Sequence, residues 1–166
     1  GGRFSVWANE SLRPGDAIDV MTPEGRFFTP LSAEHDKHYV AFVAGSGITP
    51  VLSLIRTTLA REPRSRFTLV YGNRRQASVM FHEALEDLKD RYLTRFALFN
   101  VFSREEQDIE LFNGRLDGAK ARAFLATLLP VDSIDEAFVC GPATMIDDVE
   151  HALVEAGAPR DHVHVE

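Results

Sequence analysis

The chain has 166 residues, 45% of them hydrophobic and 26% charged, with a formal net charge of -7. That length holds one α/β domain plus part of another, and the acidic balance excludes nucleic acid or an anionic membrane as the main partner. A single cysteine, Cys140, excludes an internal disulfide framework and a cysteine-ligated iron–sulfur cluster within these residues, so a reducing cytoplasm is the expected setting.

In chain order, Phe4 to Leu12 reads as a short helix, and Ala17 to Met21 alternates as a half-buried strand does. Arg13-Pro14-Gly15-Asp16 and Thr22-Pro23-Glu24-Gly25 flank that strand as turns. These few elements cannot bury a core alone, so residues 1–34 are expected to be the tail of a β-rich domain. Leu31 to Lys37 is polar and reads as a linker, and His35 and His38 are assigned to it.

From Tyr39 the pattern alternates strand and helix. Strands are predicted at Tyr39–Ala44, Phe67–Tyr71, Phe96–Phe102, Ala137–Cys140 and His162–Val165. Helices are predicted at Pro50–Arg61, Val79–Tyr92, Ala119–Leu128 and Pro142–Ala156. Apolar strands between amphipathic helices give the fold class: α/β, a five-stranded parallel sheet covered on both faces, spanning 35–166. Ligands of such sheets bind at the carboxyl ends of the strands.

The first strand ends in Gly45-Ser46-Gly47-Ile48-Thr49-Pro50. Glycines admit an anion close to the backbone, and a helix start offers unpaired N–H groups. Thr49 fits an N-cap and Pro50 the first helical position. On these residues alone, a phosphate site and an ordinary strand-to-helix turn both stand. The second strand ends in Gly72-Asn73-Arg74-Arg75, with no acidic residue to hold a ribose and with arginines suited to a phosphate. That substitution also disfavours a methyltransferase, which needs the acid. The third strand ends in Ser103-Arg104-Glu105-Glu106, at once an anion grip and a capping-box pattern for a helix. The fourth ends in Cys140-Gly141-Pro142, with proline at a helix start. Cys140 reads either as a small core residue or as a group against a reactive cofactor ring. The six histidines show no metal-ligand spacing, and no metal site is expected.

Taken together, Gly45-Ser46-Gly47-Ile48-Thr49-Pro50, Tyr71-Gly72-Asn73-Arg74 and Cys140-Gly141-Pro142 with Met145 resemble the pyridine-nucleotide domain of the ferredoxin–NADP reductase family. Upstream, Gly1-Gly2-Arg3-Phe4-Ser5 resembles that family's second flavin motif, and Gly15-Asp16 through Pro23-Glu24-Gly25-Arg26-Phe27 resembles the exit of its flavin barrel. Ser103-Arg104-Glu105 with Asn113-Gly114-Arg115-Leu116-Asp117 is most similar to the reductase components of phenylacetyl-CoA-type multicomponent oxygenases.

The resemblance implies an NAD(P)H-dependent flavoprotein reductase that passes hydride from NADPH to FAD. Electrons then move to an iron–sulfur domain or ferredoxin-like acceptor and on to an oxygenase component. It implies that Gly45 to Pro50 receive the pyrophosphate. Arg74, Ser103 and Arg104, beside Gly72 and Asn73, hold the adenosine 2′-phosphate, which favours NADP over NAD. Cys140, Gly141, Pro142 and Met145 line the nicotinamide site, with Glu166 approaching it, and Gly2 and Ser5 support FAD. The barrel's main flavin motif is absent here, and the [2Fe–2S] domain of such proteins follows the nucleotide domain. The chain opens without methionine and stops within a strand pattern, so it reads as a piece of a longer polypeptide that alone binds its nucleotide without completing the reaction. A non-catalytic nucleotide-binding or regulatory domain is the alternative.

Overall fold

The computed structural model describes residues 2–22 and 24–166. Gly1 and Pro23, each part of a flavin-like motif named above, lie outside the described residues. Five strands form one parallel sheet: β1 (His38–Ala44), β2 (Arg66–Asn73), β3 (Phe96–Phe102), β4 (Glu136–Cys140) and β5 (Val163–Val165). The helices are α1 (Arg3–Glu10), α2 (Ile48–Arg61), α3 (His82–Arg91), α4 (Gly118–Thr127) and α5 (Ala143–Glu155).

Strand order is β3-β2-β1-β4-β5. The chain steps outward from β1 to β3, then returns past β1 and continues through β4 to β5. The connections on either side of β1 therefore leave in opposite directions, which makes the carboxyl ends of β1 and β4 the switch point at which sheets of this kind bind ligands.

Burial follows from the strand period. Tyr39, Ala41 and Val43 face α2 and α3, together with Leu69, Tyr71, Phe138 and Cys140. Val40, Phe42, Val70, Ala137 and Val139 face α4 and α5. Both sides of β1 are buried, so it reads as a continuous apolar run. Each wholly buried Leu, Ile or Phe contributes about 1.5–3 kcal/mol. Phe27, from the segment before the sheet, packs on the first face, its ring edge-on to Phe138 at 5.3 Å between centroids.

Several predicted local features differ. Ala17–Met21 forms no strand, and Val20 and Met21 are exposed, because no neighbouring strand pairs with them among the described residues. The α1 helix forms but buries none of its residues. Thr49 is not a cap: a short 3-10 turn over Gly45–Gly47 runs into α2, Gly47 is the N-cap, and Thr49 and Pro50 lie within the first turn. Pro142 is the N-cap of α5 rather than its first residue. No helix follows Ser103, so Glu106 closes no capping box. The α3 helix starts late because Phe81 takes a left-handed conformation, φ 58°, just before it. His38 belongs to β1, and His162 to a 3-10 turn before β5.

No helix among the described residues is long and apolar enough to cross a membrane. No cluster of His, Cys, Asp or Glu with metal-binding geometry occurs among them either.

Candidate nucleotide site

The carboxyl edge gathers the motifs. β1 and β4 pair through Val43 and Cys140, so the turns that follow them are adjacent. Gly47 is buried against Cys140: an ideal Cβ on Gly47 would lie 2.7 Å from the Cys140 carbonyl carbon and 3.0 Å from its Sγ. Only hydrogen fits there, so the glycine turn and Cys140 share one fixed spacing. Gly141 is similarly enclosed, by Met145 Sδ at 3.1 Å and Ala44 Cβ at 3.3 Å from an ideal Cβ. Met145 itself is buried in the core of the α4–α5 face.

Gly45 sits at φ +54°, which glycine adopts without strain. Ser46 and Thr49 are exposed, Pro50 is half-buried and Ile48 is in the core. The Tyr71 hydroxyl donates to the Gly45 carbonyl at 2.9 Å.

One strand over, β2 and β3 keep their register past the last paired residues. Ser103 N–H donates to Asn73 O at 3.0 Å, and Arg104 N–H donates to Arg74 O at 2.9 Å. Both arginines are exposed, and neither pairs with a carboxylate among the described residues. Asn73 Nδ2 is buried with no hydrogen-bond partner among them. Gly72 is pressed beneath Leu116, whose Cβ lies 3.0 Å from an ideal Gly72 Cβ.

The loop after β3 is held by its own side chains. Asn113 Oδ1 accepts from Gln107 N–H at 2.7 Å, and Asn113 Nδ2 donates back to Gln107 O at 2.7 Å. Gly114, at φ +100°, donates its N–H to Phe102 O. Glu105 accepts from Gln76 N–H at 3.1 Å, tying this loop to the one after β2. These contacts fix the platform carrying Ser103 and Arg104.

Burial pushes the Cys140 thiol up, and the nearby Glu166 carboxylate adds to it. The thiol is therefore protonated at neutral pH and is no thiolate nucleophile. Glu166 N–H donates to Val139 O at 3.1 Å, which extends β5 toward Cys140. Glu166, Pro50, Phe27 and Phe28 line an open cavity of about 420 Å³. Gly2 and Ser5 are exposed at the start of α1 and come together with none of these residues.

The amino edge holds charges of another kind. Glu62, wholly buried, accepts from Ser32 N–H, Tyr39 Oη, Ser65 Oγ and His35 Nδ1 at 2.7–3.0 Å. Burial opposes its charge, but those bonds together hold the carboxyl below its ordinary range. Glu136 is likewise held low against burial, by His164 and Lys37. Arg95 donates to the carbonyls of Leu59, Glu62 and Ser65, closing the end of α2. Burial, then Arg66, lowers the pKa of His38, whose Nδ1–H donates to Ser133 O at 2.9 Å and whose Nε2 accepts from Thr68 Oγ1 at 2.8 Å. No sequence pattern signals this network, because its partners lie far apart in the chain.

Residues 42–151 match the family model described as an oxidoreductase NAD-binding domain. The chain belongs to this family. It is 49% identical over 166 residues to a component of the 1,2-phenylacetyl-CoA epoxidase of Escherichia coli strain K12, covering 100% of this chain and 47% of that protein. It is 38% identical over 165 residues to the ferredoxin reductase component of 3-ketosteroid-9-alpha-monooxygenase from Rhodococcus rhodochrous, covering 99% of this chain and 43% of that one. The chain thus spans about half the length of the curated relatives it matches. The fold is that of the Amycolatopsis cytochrome P450 reductase GcoB, with a TM-score of 0.81 at 23% identity over 98% of this chain and 47% of that one. The expected fold class and family resemblance both hold.

Proposed function

We propose that residues 35–166 are the nicotinamide-nucleotide domain of a flavin-dependent reductase, and that residues 1–34 belong to its flavin barrel. In this reading the protein accepts hydride from NADPH and delivers electrons, through an iron–sulfur centre, to an oxygenase. Similarity to an epoxidase component and to an oxygenase's ferredoxin reductase component supports it. The observation that carries it is the packing of Gly47 against Cys140 where the strand order switches.

The donor set fits a dinucleotide. Gly45 to Thr49 offer a glycine turn and a helix start to a pyrophosphate. Asn73 Nδ2 is buried, makes no hydrogen bond among the described residues and lies on the side of the Tyr71 hydroxyl. Arg74, Ser103 and Arg104 offer charge and a hydroxyl to the 2′-phosphate. Cys140, Gly141 and Pro142 border the nicotinamide end, with Met145 packed beneath Gly141. Hydride transfer between nicotinamide and flavin is chemistry the bound cofactors supply. This chain's residues bind and orient; the Cys140 thiol stays protonated beside the Glu166 carboxylate and takes no proton. For FAD the described residues offer only the exposed start of α1, with Gly2 and Ser5, which does not by itself fit that group. The reduced, buried thiol suits a cytoplasmic setting.

The test is nucleotide selectivity in the full-length protein. Arg104→Ala should raise the NADP+ dissociation constant about tenfold or more and move that for NAD+ by less than about twofold. Equal losses for both, or no loss, overturn the 2′-phosphate role.

A further inference from the structure

Tyr71 is wholly buried in β2, beneath the glycine turn. Its hydroxyl donates to Gly45 O at 2.9 Å, and the same carbonyl accepts the Ile48 N–H inside the 3-10 turn. A trans peptide puts its C=O and the following N–H on opposite sides. Fixing the Gly45 carbonyl toward Tyr71 therefore turns the Ser46 N–H away from the core, to the side where Ser46 is exposed.

We propose that Tyr71 is a positioning residue: its hydroxyl sets the Gly45–Ser46 peptide so that an N–H, and not a carbonyl oxygen, meets a dinucleotide's pyrophosphate. This rests on the reading that the pyrophosphate lies on the glycine turn. Gly45 has no Cβ to hinder rotation of that peptide, so its orientation rests on the two donors at its carbonyl, the Ile48 N–H and the Tyr71 hydroxyl. The opposite orientation would aim a carbonyl oxygen at an anion. Burial raises the Tyr71 pKa, while the Asn73 side chain and the Met80 backbone N–H, which face the hydroxyl, work against the rise. The hydroxyl consequently remains a proton donor at all physiological pH.

Two features set this role apart from packing. Phenylalanine keeps the ring and removes only the hydroxyl, and Gly45 O retains the Ile48 N–H, so Tyr71→Phe leaves no orphaned acceptor at the turn; the groups that lose a neighbour are the Asn73 side chain and the Met80 N–H. The pyrophosphate is common to NADP+ and NAD+, so both should suffer alike, unlike the selective loss expected for Arg104.

In the full-length protein, Tyr71→Phe should raise the dissociation constants of NADP+ and NAD+ about tenfold each, with their ratio unchanged. KM for the reduced nucleotide should rise while kcat at saturation stays within about twofold. Unchanged affinities in the variant, where the wild type binds both nucleotides, overturn the role of Tyr71 and leave the glycine-turn reading standing. A wild type that binds neither overturns both. The wild type also gives a readout that does not depend on the variant folding: NADP+ should slow hydrogen exchange at the Ser46 amide. Exchange as fast with NADP+ as without it overturns the assignment.

Discussion

The two edges of the sheet carry polar groups to opposite ends: those of the amino edge are buried or half-buried, and the arginines of the carboxyl edge are exposed. At the amino edge three buried or half-buried charges are answered from within the chain: Glu62 by four donors, Glu136 by Lys37 and His164, Arg95 by three carbonyls. At the carboxyl edge Arg74 and Arg104 have no carboxylate and Asn73 Nδ2 has no acceptor among the described residues. Self-satisfied polar groups hold a fold together, whereas unanswered ones clustered at one strand-end crevice are what a ligand completes. The same residue types thus do unlike things according to which end of the strands they stand on.

The largest expected break is at the amino edge. Glu62→Ala should strand four donors and cost about 3 kcal/mol or more, lowering the melting temperature by about 10 °C, while surviving folded protein keeps its nucleotide affinity. A loss of affinity without loss of melting temperature would reverse the assignment of the edges. At the carboxyl edge Gly47→Ala should strike function as well as stability. Its methyl meets the Cys140 backbone, so the melting temperature should fall and nucleotide-dependent flavin reduction in the full-length protein that remains folded should fall more than about tenfold. An unchanged rate would show that the spacing between the two turns is not critical.

Acid sharpens the contrast. Glu62 and Glu136 are held below the ordinary carboxyl value of 4.5, so the unfolded chain binds more protons than the folded one at low pH. Their contribution is in place above that value and disappears as pH falls through the lowered folded values. Glu62→Gln and Glu136→Gln should flatten the acid limb of a melting-temperature profile. The smallest effect belongs to Arg122→Ala, which breaks an exposed pair with Glu155 and should leave both melting temperature and nucleotide affinity unchanged.

The sequence announces the carboxyl edge because glycine and proline mark turns, and the turns sit at strand ends. Gly45, Cys140 and Gly141 fall where the alternating pattern puts them, whereas β2 runs past its predicted end at Tyr71 and takes in Gly72 and Asn73. Cap positions are less legible. Thr49 and Ser103 have the right side chains, yet the 3-10 turn at Gly45–Gly47 starts α2 ahead of Thr49, and Ser103 continues into a side-chain-pinned loop. Ala17–Met21 has the alternation of a strand but pairs with none among the described residues. Tyr71 and Glu62 act through Gly45 and His35, separated by 26 and 27 residues, and no local spacing signals such contacts.

Hydrogen exchange of the full-length protein with and without NADP+ tests the division of the edges most directly. Protection should appear at Gly45–Pro50, Asn73–Arg75, Ser103–Arg104 and Cys140–Gly141, and leave Lys37–Tyr39, Glu62–Arg66 and Asp135–Glu136 unmoved. Protection confined to the amino edge, or none at the glycine turn, would contradict the carboxyl edge as the nucleotide site.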